Sequence, residues 1–207
     1  MESKKFINEM RRLKLGVFTT NDAMKVLAGS RNYINLFLHR LAKRHSIEYI
    51  SRGIYAIEGV DRLALANSLA PNGYISCLSA LFYHGLIEQD PLIIDVINTR
   101  KSLSRSIEYE HSRINVRIIK ISKEAFFGYK KEISSVDYFL IAEPEKAIID
   151  MLYIYKDKLT SYCKDVLENS NGDINKEKLV EYAKRIGSYA LLMRLKECID
   201  SIGGYDA

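Results

Sequence analysis

The chain has 207 residues, with 31 Lys+Arg against 26 Asp+Glu and a formal charge of +5. At 47% hydrophobic and 28% charged, with 3 Pro and 11 Gly, the composition excludes a collagen-like repeat, a low-complexity array and a disordered chain. Its apolar runs, such as the one from Leu78 to Tyr83, fall far short of the roughly 20 residues that span a bilayer. The opening segment MESKKFINEMRRLKLG scatters its charges and has no apolar stretch, so no secretory leader is expected. Cys77, Cys163 and Cys198 are odd in number and widely spaced, which suits a reducing cytoplasm better than a disulfide framework.

The positive charge is unevenly shared. Residues 1–60 hold 11 Lys+Arg and 5 Asp+Glu, whereas residues 61–207 hold 20 and 21. A basic excess confined to one small unit is the footprint of a phosphate-binding module or, more plainly, a solvated basic face.

In chain order, Phe6, Ile7, Met10 and Leu13 fall at helical spacing before Gly16. Thr19, followed three residues later by Asp22, reads as a capping box that opens a second short helix carrying Ala23, Met24 and Leu27. Ala28-Gly29-Ser30 then forms a tight turn whose glycine tolerates positive φ and whose serine can cap the next helix. On that next helix, Ile34, Phe37, Leu38 and Leu41 share one face. The opposite face holds Asn32, Leu36, His39 and Lys43, flanked by Tyr33, Asn35 and Arg40, with no acidic residue. Asn can bond adenine bidentately, Arg can read guanine, and Lys, Tyr and His can reach phosphates. Ser30 and Arg31 sit at the helix start, where backbone amides favour an anion. Two short β-prone runs, Ile47 to Ile50 and Ile54 to Ile57, flank Ser51-Arg52-Gly53 and predict a hairpin with Arg52 at its tip. The order of these elements predicts a winged helix-turn-helix over residues 1–59. Its expected DNA contacts are Thr19, Thr20, Ser30, Arg31, Asn32, Tyr33, Asn35, Leu36, His39, Arg40, Lys43 and Arg52. A winged helix that docks a protein instead is the competing reading.

Residues 60–207 predict an α/β domain with a small mixed sheet and a C-terminal helical layer, making the chain α+β overall. Leu63, Ala64, Leu65 and Leu69 suggest a linking helix that ends at Pro71-Asn72-Gly73. Tyr74-Ile75 then reads as a strand, and Ser76 as the cap of a helix with Leu78, Leu81 and Phe82 inward and Gly85 at its end. Further strands are expected at Leu92 to Asn98, Ile114 to Ile121 and Tyr138 to Ala142, with Arg100 to Arg113 as a polar loop or ragged hairpin. Arg100, Lys101 and Arg105 in that stretch read as solvated residues or a second phosphate contact. Pro144 opens a helix whose inward stripe is Ile148, Met151, Leu152 and Tyr155. Glu145, Lys146 and Asp150 on it read as capping and surface charges. Helices are also expected near 158–168, 176–186 and 189–202, the last ended by Gly203-Gly204.

Strong catalytic signatures are missing: the sequence has no P-loop, dinucleotide fingerprint, nucleophile elbow, HExxH or CxxC. His39, His45, His84 and His111 have no metal-ligand spacing. Asp95 with Glu108 or Glu110 lacks the Glu-x-Lys element a metal nuclease would need. No catalytic, metal-binding or cofactor-binding residue is assigned, and a non-enzyme is expected.

The RGIYAI wing, YISCLSALFYHGL (Tyr74 to Leu86), the strand IIDVINT and AEPEKAIIDMLY (Ala142 to Tyr153) occur in that order. Together they resemble the AbiEi-type antitoxins of prokaryotic type IV toxin–antitoxin systems over roughly residues 15–155. The resemblance implies an N-terminal DNA-binding winged helix that represses its own operon. It also implies a C-terminal domain associated with neutralising a nucleotidyltransferase-like toxin. Carried over, the DNA-reading helix falls on Ser30 to Arg44 and the wing on Ile47 to Ile57. The expected partners are double-stranded DNA with inverted repeats, a cognate toxin and a second copy of the chain, in the cytoplasm and away from membranes.

Overall fold

The computed structural model describes residues 3–170 and 172–203. Helix α1 (Ser3–Arg12) buries Phe6 and Met10 and leads into strand β1 (Val17–Thr19). The predicted capping box forms: Thr19 Oγ1 accepts from the Asp22 amide and Asp22 accepts from the Thr19 amide, which opens α2 (Thr20–Val26). After the turn, Ser30 accepts from the Tyr33 amide at 3.3 Å and starts α3 (Arg31–Lys43). Gly29 in that turn has φ 159°, nearly extended rather than left-handed. An added Cβ there would lie 2.7 Å from Tyr33 Cδ1, so a larger residue would have to displace the half-exposed Tyr33 ring.

Strands β2 (Glu48–Ser51) and β3 (Ile54–Ala56) form the expected hairpin, closed by Gly53 at φ 74°. The extra strand β1 pairs antiparallel with β3, Phe18 opposite Tyr55, giving the order β1-β3-β2. No hairpin signal marks β1 in sequence because its partner lies beyond two helices. The core of this unit is aromatic at its centre. Phe6 meets Phe18 and Phe37 edge-on with ring centroids 5.7 and 5.5 Å apart, over Ile34, Leu38 and Leu41 of α3.

Helix α4 (Arg62–Ser68), capped by Asp61, leads into a six-stranded mixed sheet. Its strands are β4 (Tyr74–Ser76), β5 (Ile93–Asn98), β6 (Leu103–Tyr109), β7 (Ser112–Lys120), β8 (Tyr129–Ile133) and β9 (Tyr138–Ala142), in the order β6-β7-β5-β4-β9-β8. Pairs β4-β9 and β5-β7 are parallel and the rest antiparallel. Helix α5 (Cys77–Tyr83) follows β4, and a layer of α6 (Pro144–Ile154), α7 (Thr160–Asn169), α8 (Lys176–Ile186) and α9 (Tyr189–Gly203) completes the chain. The Gly204 half of the expected terminator lies outside the described residues. The α+β class holds, and among the described residues no helix is long and apolar enough to cross a membrane.

The body departs from the sequence reading at five points. The polar stretch from Arg100 takes the hairpin alternative, but as a regular rather than a ragged one: β6 pairs with β7 from Leu103↔Ile118 to Tyr109↔Ser112. β8 was not expected at all. Ser76 makes no side-chain cap bond to α5; its hydroxyl donates instead to Asp150 Oδ2 at 2.7 Å. Phe82 is exposed, and Cys77, Ser79, Ala80 and Leu81 form the buried face of α5. Glu145, Lys146 and Asp150 are buried rather than on the surface.

The two units share one apolar cluster. The buried Tyr109 hydroxyl donates to Ile57 O at 2.8 Å and accepts from the Val60 amide at 3.0 Å. Beside it, at the tip of the β6-β7 hairpin, Glu110 Oε1 accepts from the Gly59 amide, and the Glu110 amide donates to Glu48 Oε2 on β2. On the other flank Lys14 Nζ donates to Ser134 O and Ser135 O at 3.2 and 2.5 Å, and Asp137 Oδ2 accepts from the Asp61 amide at 3.1 Å.

Candidate nucleic-acid interface

The apolar stripe of α3 fixes what its other side can do. Burying Ile34, Leu38 and Leu41 turns Arg31, Asn32, Tyr33, Asn35, Leu36, His39, Arg40 and Lys43 outward, all of them exposed. Helix α3 contains no acidic residue. Among the described residues, the side chains of Asn32, His39, Arg40 and Lys43 make no hydrogen bond or ion pair, so their donors point to water. Arg31 differs: its Nη2 donates to Asn21 Oδ1 on α2 at 2.6 Å, which ties the start of α3 to the preceding helix. Tyr33 is 49% exposed and stacks on Phe37 with ring centroids 6.5 Å apart, so its ring leans on the core while its edge faces out.

Ser30 spends its hydroxyl as an acceptor on the cap, leaving the exposed first turn of α3 with amides directed outward. Arg52 is exposed at the tip of the β2-β3 hairpin, where Gly53 makes the turn. Thr19 and Thr20 sit differently from the other ten candidates. The Thr19 hydroxyl is engaged with Asp22 Oδ2 at 2.7 Å, and Thr20 is buried at 7% exposure. The structure therefore gathers Ser30 to Lys43 on one helix, puts Arg52 on a separate hairpin, and turns the two threonines inward.

Two exposed groups fall outside the individual contact residues expected from sequence, although Arg44 and Tyr49 lie within the expected helix and wing. Arg44 and His45 continue the α3 surface past its last turn, His45 with φ 53°. The run Lys43-Arg44-His45 carried that signal. Tyr49 on β2 is 57% exposed and meets Tyr55 edge-on at 5.7 Å; an isolated aromatic on a short strand gives no such cue.

Other clusters of ionisable groups are internally satisfied. Asp95 takes Arg117 Nε at 2.7 Å and the Tyr155 hydroxyl at 2.7 Å. Burial, together with the neighbouring Cys77 and Asp95, pushes the Tyr155 hydroxyl well above its ordinary range. Lys178 bridges Glu143 and Glu145 at 3.2 and 3.0 Å. Partial burial would raise Glu143, but the Tyr182 hydroxyl and Lys178 hold it below the usual carboxylate range. Burial and Glu143 in turn push Tyr182 up to about 12. Among the described residues no three His, Cys, Asp or Glu side chains gather as a metal site, and Cys77, Cys163 and Cys198 are buried and free of disulfides.

No protein-family model matches the chain, and no curated protein matches it.

Proposed function

We propose that the protein is a sequence-specific DNA-binding transcriptional regulator of the antitoxin type, acting in the cytoplasm on its own promoter. The single observation that carries this reading is the exposed, acid-free face of α3, with Asn32, His39, Arg40 and Lys43 unpaired among the described residues. In this reading residues 1–59 are a winged helix. α3 lies in the major groove, the amides at its start meet a phosphate, and the β2-β3 hairpin brings Arg52 to the neighbouring backbone or minor groove. One helix and one hairpin reach few base pairs, so two copies on an inverted repeat supply the specificity. The assignment of residues 60–207 to neutralising a nucleotidyltransferase-like toxin rests on the resemblance described above.

The test is titration of the purified full chain against duplex DNA from upstream of its own gene. Wild type binds with affinity that falls steeply as salt rises, and Arg40→Ala with Lys43→Ala binds at least tenfold more weakly while keeping its thermal midpoint. Equal binding by the double variant overturns the recognition-helix assignment.

A second reading, direct masking of a protein partner with DNA binding secondary, draws on exposed apolar side chains of the body. Leu92 is 87% and Tyr189 77% exposed. Co-production with a neighbouring nucleotidyltransferase separates the two: protection by the Arg40→Ala, Lys43→Ala variant favours masking.

A further inference from the structure

Leu36 lies at the centre of the α3 face just described. At about 100° per residue it stands roughly 200° round the helix from Ile34, diametrically opposite the buried stripe. It is 48% exposed, and Ile34, Leu38 and Leu41, the other aliphatic residues of α3 larger than alanine, are buried. Asn32 lies one turn before it, His39 and Arg40 one turn after it, and Lys43 two turns after it. Each of these neighbours offers hydrogen bonds to a base edge or phosphate; Leu36 offers none. In a major groove, every base edge presents donors or acceptors, and the apolar feature among them is the C5 methyl of thymine. A leucine at the middle of a groove-facing helix would desolvate a polar edge without return, whereas against a methyl group both partners leave water together.

We infer that Leu36 reads the C5 methyl group of a thymine in the major groove, as the apolar contact between the hydrogen-bonding readers Asn32 and Arg40. This deepens the DNA-binding reading of α3 and rests on it. It assigns the target a T·A pair at the position under the centre of α3.

The test uses the full chain and a synthetic duplex from upstream of its own gene, with each thymine replaced in turn by deoxyuridine. That change removes only the methyl and leaves the pairing intact. At one fixed salt concentration, wild type should bind about fourfold more weakly when one particular thymine per half-site is replaced, the size expected for one buried methyl group. Leu36→Ala should bind the thymine and deoxyuridine duplexes equally while keeping its helix signal, because the buried stripe of Ile34, Leu38 and Leu41 is untouched. If no replacement weakens wild type, or if Leu36→Ala keeps the full difference, the inference is overturned. If wild type binds this duplex no better than one of scrambled sequence, the DNA-binding reading fails, and the assignment of Leu36 fails with it.

Discussion

Lys146 and Asp150, one turn apart on α6, are both completely buried and form an ion pair. Asp150 Oδ2 also accepts from Tyr74 at 3.0 Å and Ser76 at 2.7 Å, and Lys146 Nζ donates to the Tyr74 hydroxyl at 3.0 Å, 5.1 Å from the Phe127 ring centroid. Burial pushes the Asp150 carboxyl upward against these donors. A buried pair adds little net stability, but stranding one member is severe, costing about 3–5 kcal/mol. Lys146→Met should therefore lower stability by that amount in urea unfolding, and adding Asp150→Leu should recover much of the loss. From sequence, an acid four residues after a lysine looks the same on a surface as in a core. The residues that bury this pair, Tyr74 and Ser76, come from a strand far upstream, so no local pattern could reveal it. Asp137 gives a pH signature at the same scale: burial raises its folded pKa above the unfolded value. Its contribution to stability is therefore present below the unfolded pKa and lost as pH rises through the folded one. Thermal midpoints of Asp137→Asn should fall less than those of wild type as pH rises above the ordinary aspartate value of about 4.

Among elements, the N-terminal helices were legible because their signals are local. Thr19, Ser30 and the Ile34, Leu38, Leu41 stripe act within a few residues of themselves, and α8 (Lys176–Ile186) has its expected bounds for the same reason, with Asn175 capping it and Gly187 left-handed at its end. β6 was legible only as one side of a ragged hairpin, and β8 not at all. Both are edge strands, and their solvent-facing positions, such as Ser104, Arg105, Lys130 and Lys131, erase the apolar alternation that identifies a half-buried strand. α2 has seven residues and depends on its cap. Thr19→Ala should cost about 1 kcal/mol in chemical denaturation and loosen the helix that carries Asn21 beneath Arg31. The hairpin tip makes a separate prediction. Arg52→Ala should weaken DNA binding uniformly across sequences and reduce the slope of log affinity against log salt by about one; a changed sequence preference would mean that the hairpin reads bases.

At the scale of the whole molecule, the basic unit and the body are packed as one. Gly16 sits so close to Val136 and Val60 that an added Cβ would lie 2.9 Å from each. Tyr109 reaches across to hold both Ile57 and Val60. Removing its hydroxyl strands a buried carbonyl and a buried amide, at a cost of about 1–3 kcal/mol. Calorimetry of wild type should give one cooperative transition, with Tyr109→Phe shifting it downward; two separate transitions in wild type would contradict this coupling. A single transition would make the division at residue 59 a change of charge rather than an independent folding boundary.

Strand β4 lies in the interior of the body sheet, yet it pairs with β5 on one edge and with β9 on the other. On a ribosome, β4 emerges long before Tyr138–Ala142 of β9 has been made. Throughout that interval one edge of β4 has no partner, and Tyr74 and Ser76 wait for an Asp150 that is not yet synthesised. The nascent protein therefore passes through a stage in which a strand destined for the sheet interior stands open to other chains, the period of greatest exposure to aggregation. Changes that slow translation between β5 and β9 should reduce the yield of folded protein even where the amino-acid sequence is untouched.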